Sequence, residues 1–287
     1  MDAIDLADDP DASYVLRTLR HSDPVAYLSV LFAPARHRQA LAGLWAYRAE
    51  LSRIADVVSD PMPGEIRLQW WRDVVTGVGE GTNPLGHALL VTIDRYGLSR
   101  DVLADASEAH VFDLYNDPMP DKAALEAYFG ETRSVFFQMA AQILGDGTAP
   151  QSGDAAGHAG VALGFSDLLQ RLALHRARRQ LFVPVDVLAA SGLDDSGFVE
   201  SDDPLRFDPL VRLLVSLGRE HLRLADGAVA GLDRKYRLAF LPLACSGRVI
   251  ATAESLLGTV ALEPFNLSPL TQLWAVGRQA FWGRFFL

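Results

Sequence analysis

Five basic side chains crowd one stretch of the sequence: Arg171, His175, Arg176, Arg178 and Arg179. Arg171 and His175 stand one helical turn apart, so a helix would present both on the same side. Guanidinium forks in that arrangement can hold a phosphate directly, without a metal ion. The same charges also suit the negative end of a helix dipole, as structural ion pairs or as solvated arginines. Asp167, one turn before Arg171, offers a local partner for the second reading. With His175 in an anion site, binding should weaken from pH about 6 to 8, where an ordinary imidazole loses its charge.

Other patterns with chemical meaning are few. Asp101, Asp105 and Glu108 recur at i, i+4 and i+7, ahead of Asp113 and Asp117. Three carboxylates on one helix face either hold a hard cation or form the solvated side of an acidic chain. Gly77-Val78-Gly79-Glu80-Gly81 follows a helix rather than a strand, so it is no dinucleotide fingerprint. There is no Gly-x-Ser-x-Gly elbow, and the seven histidines never fall at metal-ligand spacing. The single cysteine, Cys245, excludes an internal disulfide and a multi-thiolate zinc site and points to a reducing compartment.

Helices must position these residues. Apolar side chains recur at three and four positions through Leu41, Leu44, Tyr47, Leu51, Ile54 and Val58, between Pro34 and Asp60-Pro61. A second helix is expected from about Gly64 through Trp70 and Trp71 to the glycines at 77, 79 and 81. Further helical periodicity covers 85–96, 101–115, 122–144, 155–179, 209–232, 236–257 and a tail from Pro269. The breaks at 116–118, 145–153, 192–204 and 263–269 are loop-sized, and no convincing strand appears. The expectation is an acidic N-terminal tail, 1–13, followed by a single all-α domain over 14–287 with about ten helices.

The 287 residues carry 36 acidic and 26 basic side chains, a net charge of −10, which argues against a nucleic-acid partner. The first thirteen residues have neither a basic region nor an apolar core, so no export or transit signal is expected and the chain should stay cytoplasmic. No run of 18 uninterrupted apolar residues occurs, so no membrane-spanning helix is expected. The tail is a separate matter. Leu270, Leu273, Trp274, Phe281 and Phe285 mark one stripe, with Trp282, Phe286 and Leu287 beside it and Arg278 and Arg284 as the only charges. Residues 270–287 therefore either complete the core or touch a membrane surface or partner groove, which would make the protein peripheral on the inner membrane.

Two segments, 38–75 and 157–193, together resemble the squalene/phytoene synthase superfamily. Leu181-Phe182-Val183-Pro184, with Gly192-Leu193 downstream, sets the register of the second. The resemblance runs from His21-Ser22-Asp23 to Leu241-Pro242-Leu243-Ala244 and implies an isoprenoid-synthase helical bundle around a central cavity. It also implies paired aspartates that hold magnesium against a prenyl diphosphate. At those positions this sequence has Ser52 and Arg53 in the first motif, with only Asp56 still acidic, and Arg171 and His175 in the second. Arginine cannot supply a hard oxygen ligand, and its charge repels a cation. Magnesium, another cofactor and a catalytic residue are therefore not expected. Ser52, Arg53, Asp56, Arg171, His175 and Arg178 become candidates for ligand or anion binding in the cavity, with no metal among them.

Tyr47-Arg48-Ala49-Glu50-Leu51, Ile66 to Asp73 and Tyr128-Phe129-Gly130-Glu131-Thr132-Arg133 resemble one non-catalytic branch, that of the respiratory complex I assembly factor. That resemblance implies a pseudoenzyme whose partner is a complex I subunit or assembly intermediate, with a prenyl or lipid ligand in its cavity. The competing expectation is a divergent prenyl-diphosphate transferase that uses arginine where its relatives use magnesium.

Overall fold

Two segments are apolar around most of their circumference, which only burial on several sides can satisfy. One holds ten consecutive buried residues, Ala40 to Ala49, and the other eight, Ala159 to Ser166. These are the central helices of a computed structural model that describes residues 10–79 and 83–282. The described residues are helical with no strand.

In chain order the helices are α1 (Pro10–Ser22), α2 (Pro24–Leu31), α3 (Ala35–Val57), α4 (Pro61–Thr76) and α5 (Pro84–Tyr96). Next come α6 (Arg100–Ala109), α7 (Lys122–Phe129), α8 (Val135–Leu144), α9 (Gly153–Ala177) and α10 (Val185–Ala190). The last are α11 (Asp195–Glu200), α12 (Asp208–Ala230), α13 (Arg234–Arg237), α14 (Ser246–Leu256) and α15 (Pro269–Trp282). Central α3 packs between α1, α5 and α8, and central α9 lies along α12. Trp45, Tyr47, Phe136, Phe137 and Phe240 form the aromatic middle of the core. The Tyr47 hydroxyl is satisfied there by the Leu103 carbonyl at 3.0 Å and Ser107 at 2.5 Å.

Local chemistry sets the boundaries. Asp23 caps α2 by accepting the Ala26 amide, and Pro24 occupies the first turn, where its missing N–H costs nothing. Gly77 ends α4 with φ +81, a left-handed turn that favours glycine. Tight approaches also need glycine on α9. A Cβ at Gly164 would enter the Phe129 ring, and one at Gly160 would collide with Ser134 backbone and side-chain atoms.

Several expected helices prove to be composite. The 101–115 stretch turns from α6 into a 3-10 turn at His110–Leu114, and 122–144 carries a π-turn at Gly130–Ser134 between α7 and α8. The stretch expected as a loop, 192–204, contains α11. Helix α1 begins at Pro10, inside the expected tail. Residues 1–9, Gly81 and the end of the aromatic tail, Arg284 to Leu287, lie outside the described residues. One continuous helical stretch, Arg234–Ala261, is long and apolar enough to cross a membrane, although polar residues interrupt it throughout. More than half of its most apolar window, 56%, is buried within the fold, where it packs on α8, α9 and α12.

The acidic trio is settled by exposure. Asp101, Asp105 and Glu108 face outward, and Glu108 pairs with Arg72. No group of three His, Cys, Asp or Glu side chains among the described residues is placed to hold a metal. The trio is a solvated face.

Candidate functional site

The C-terminal halves of α3 and α9 line a cavity of about 910 Å³. Its walls come from these helices, the start of α2, the 3-10 turn at 110–114, the π-turn and the segment from Pro242 to Gln272. All six residues singled out from the sequence, Ser52, Arg53, Asp56, Arg171, His175 and Arg178, line this one cavity. They come from segments more than a hundred residues apart, brought together where the C-terminal halves of α3 and α9 both line the cavity.

Asp56, near the end of α3, is the hub of the group. Arg171 grips it with both terminal nitrogens, Nη2 to Oδ1 at 2.7 Å and Nη1 to Oδ2 at 3.0 Å. Arg178 adds a third bond to Oδ1 at 2.5 Å. Arg178 reaches back because α9 ends in a left-handed turn at Arg179, φ +57, with the Gln180 amide bonded to the His175 carbonyl. Burial acts to raise the pKa of Asp56, but the hydrogen bonds and charges of Arg171 and Arg178 outweigh it and hold the carboxyl below its usual range. The helix-internal partner expected for Arg171, Asp167, instead accepts from Arg133 Nε at 3.0 Å.

His175 sits where a positive charge is disfavoured. It is buried, stacks on Phe182 at 4.6 Å between centroids, and lies 3.4 Å from the Arg171 Nε donor. Burial first, then the neighbouring Arg171 charge, lower its pKa to about 3. Its surroundings therefore favour the neutral ring, which accepts from Arg171, over the positive charge expected for an anion site. Arg53 is exposed at the cavity and forms no ion pair among the described residues, while Ser52 is half-buried beside it.

Deeper polar residues escaped the sequence reading. Arg48 Nη2 bonds Asp23 Oδ2 at 2.6 Å, tying α3 to the cap of α2. Arg133, turned inward by the π-turn, lies over Phe129 at 4.8 Å as it holds Asp167. The 3-10 turn stacks positions three apart, so His110 Nδ1 meets Asp113 Oδ2 at 2.7 Å. Tyr128 donates to the other Asp113 oxygen at 2.5 Å. The available signal was a charge set in an otherwise apolar run, as for Arg48 among Ala40 to Ala49.

The chemistry of this donor set does not suit magnesium, which needs several free hard oxygens. Asp23, Asp56 and Asp167 are each held by an arginine, and Asp113 by His110 and Tyr128. What remains is donor capacity. Arg48 Nε and His175 Nδ1 are donors buried without a partner in the protein, His110 Nε2 is a buried acceptor because Nδ1 donates to Asp113, and all three residues line the cavity. Such atoms carry a desolvation cost that a polar guest would relieve.

Residues 19–261 match the family described as squalene/phytoene synthase. The chain is 28% identical over 223 residues to a Rattus norvegicus protein named NADH dehydrogenase (ubiquinone) complex I, assembly factor 6, covering 75% of this chain and 65% of that protein. The Bos taurus protein of the same name is 27% identical over 231 residues, covering 79% and 69%, and the Homo sapiens one 26% over 213 residues, covering 73% and 64%. The chain thus spans about two thirds of the length of these relatives. Among solved structures, squalene synthase HpnC from Alicyclobacillus acidocaldarius superposes with a TM-score of 0.72 at 16% identity, covering 92% of this chain and 98% of that one. A dehydrosqualene synthase in complex with ligand gives 0.70 at 13% identity, covering 93% and 95%. Those likenesses establish the all-α isoprenoid-synthase fold, and with the match over residues 19–261 the chain belongs to the squalene/phytoene synthase family.

Proposed function

We propose that this chain is a non-catalytic member of its family that serves as an assembly factor for respiratory complex I. In this reading it works in the cytoplasm beside the membrane that holds its client, without magnesium or another cofactor. The observation that carries the proposal is the Asp56 hub, whose two oxygens are taken by Arg171 and Arg178. A carboxylate so engaged cannot also bridge metal ions to a diphosphate, and the other positions expected to help it are Ser52, Arg53, Arg171 and His175. The names of the similar rat, cattle and human proteins support the choice of client.

The cavity keeps a role as a binding site. Phe129, Leu163, Leu168, Phe182 and Val249 supply apolar wall, while Arg53, Arg48 Nε and His175 Nδ1 supply donors. That combination fits an amphiphile, a prenyl or lipid chain with a polar head, held without metal.

Two measurements test the reading. Incubation with farnesyl or geranylgeranyl diphosphate, with and without magnesium and NADPH, should release no diphosphate; squalene, presqualene diphosphate or phytoene above a heat-killed control would overturn it. Deleting the gene in its own organism should lower assembled NADH:quinone oxidoreductase and spare other respiratory enzymes. Normal complex I levels in the deletion strain would remove the assembly role.

A further inference from the structure

Helix α15 is apolar on its outward side as well as its inward one. Its buried side carries Ala275, Val276 and Gln279 and packs on α2 and the 3-10 segment Leu238–Cys245. Its outward side carries Leu270, Leu273, Trp274 and Phe281, which are 78%, 49%, 52% and 78% exposed. On an ordinary surface helix the outward face would be polar. The outward stripe does not stop at the helix. Leu31 and Phe32, at the end of α2, are also exposed, and Phe32 lies beside Gly277 of α15. The result is one continuous apolar surface, larger than scattered exposed side chains would produce.

Two arginines adjoin this surface. Arg278 lies over the Trp274 ring at 4.4 Å, and Arg248 of α14 approaches the same ring at 5.5 Å. Pro269–Trp282 contains no carboxylate, on a chain whose net charge is −10. The helix also lies outside residues 19–261, so it is no part of the region matched to the family.

We propose that α15, continued by Leu31 and Phe32, docks this protein on an anionic lipid surface. Tryptophan, phenylalanine and leucine with arginine at the edge are the composition of a helix lying in a membrane interface. The arginines matter, because an anionic leaflet otherwise repels a chain this acidic. A protein groove fits less well. Such grooves enclose a helix, whereas the inward half of α15 is already packed on its own fold and only a shallow convex stripe is on offer. The proposal stands independently of the assembly role, although Gln272 on the same helix lines the cavity and so puts the cavity wall next to the docking surface.

The test is flotation of the full chain with vesicles of phosphatidylglycerol and phosphatidylcholine, against vesicles of phosphatidylcholine alone. The wild type should float with the anionic vesicles and be released by high salt. The variant Leu273→Ser/Trp274→Ser/Phe281→Ser changes only exposed positions and should retain its circular dichroism, yet float about tenfold less. As a second readout, brominated phospholipid should quench the wild-type tryptophan fluorescence, and Trp274→Phe/Trp282→Phe, which removes both exposed tryptophans of α15, should remove most of that quenching. A folded wild type that stays at the bottom of the gradient overturns the proposal. So does equal flotation of the triple variant, or unchanged quenching in Trp274→Phe/Trp282→Phe. Loss of binding to a purified protein client with flotation unaffected would assign the surface to a protein instead.

Discussion

Tyr128 donates its hydroxyl to Asp113 at 2.5 Å, and this buried carboxylate is held from the other side by His110 at 2.7 Å. Burial, and then the Asp113 charge, push the Tyr128 phenol well above its ordinary range, so it remains a donor. Tyr128→Phe removes one of two partners of a buried charge. The expected loss is about 1–2 kcal/mol of stability, read from urea unfolding midpoints. An unchanged midpoint would mean that Asp113 finds another donor in the cavity.

Asp56→Asn should destabilise by more than either arginine substitution alone, because it leaves two guanidinium groups unneutralised. Partial solvent exposure limits the expected loss to about 1–2 kcal/mol. The same variant should bind pyrophosphate in EDTA more tightly than wild type, since Arg171 and Arg178 are then free to hold an anion; calorimetry measures this. The carboxyl titrates below its ordinary value, so the stability it contributes is complete above about pH 4 and is lost as pH falls through the lower, folded value. Acid unfolding of Asp56→Asn should show a correspondingly shallower pH dependence.

His175 should show no titration between pH 5 and 8 by NMR. Its folded pKa is about 3 against about 6.5 when unfolded, so the ring takes up a proton on unfolding between those values. Its contribution to stability is complete above about pH 6.5, shrinks as pH falls and is lost through about pH 3. His175→Phe should flatten the stability profile in that window. Metal-free anion binding should likewise show no inflection from pH 6 to 8 that depends on His175.

The glycines of α9 divide into two classes. Gly160→Ala and Gly164→Ala place a methyl against Ser134 and the Phe129 ring, and each should cost about 1–3 kcal/mol. Nothing lies within 4 Å of a Cβ at Gly157, so Gly157→Ala should gain about 0.5–1 kcal/mol from helix propensity. Thermal melts of the three variants measure the contrast. Equal effects would mean that the π-turn yields to α9 more readily than its packing implies.

Much of this arrangement was legible in the sequence because long helices repeat their pattern. The periodicity from Leu41 to Ile54 marks α3, and the register set by Leu181 to Pro184 places Arg171 and His175 on the cavity side of α9. Short elements escaped for the converse reason: the six-residue α10 and α11 are too brief to show a period. Pairings escaped where the partner is distant in the chain. Asp167 and Arg171 satisfy the one-turn rule, but Arg133 lies 34 residues from Asp167 and wins it through the π-turn. Likewise His175 looks like a proton-binding group in sequence. Only its burial against Phe182 and Arg171 makes it neutral.

The sharing of Asp56 by two arginines makes the hub asymmetric under sequence drift. Replacing Arg171 leaves Arg178 to balance the carboxylate, and replacing Arg178 leaves the two bonds from Arg171. Replacing Asp56 leaves two cations facing each other with nothing between them. Among diverging relatives that keep this cavity, either arginine can therefore vary alone, while the aspartate should disappear only from sequences in which both arginines have changed as well.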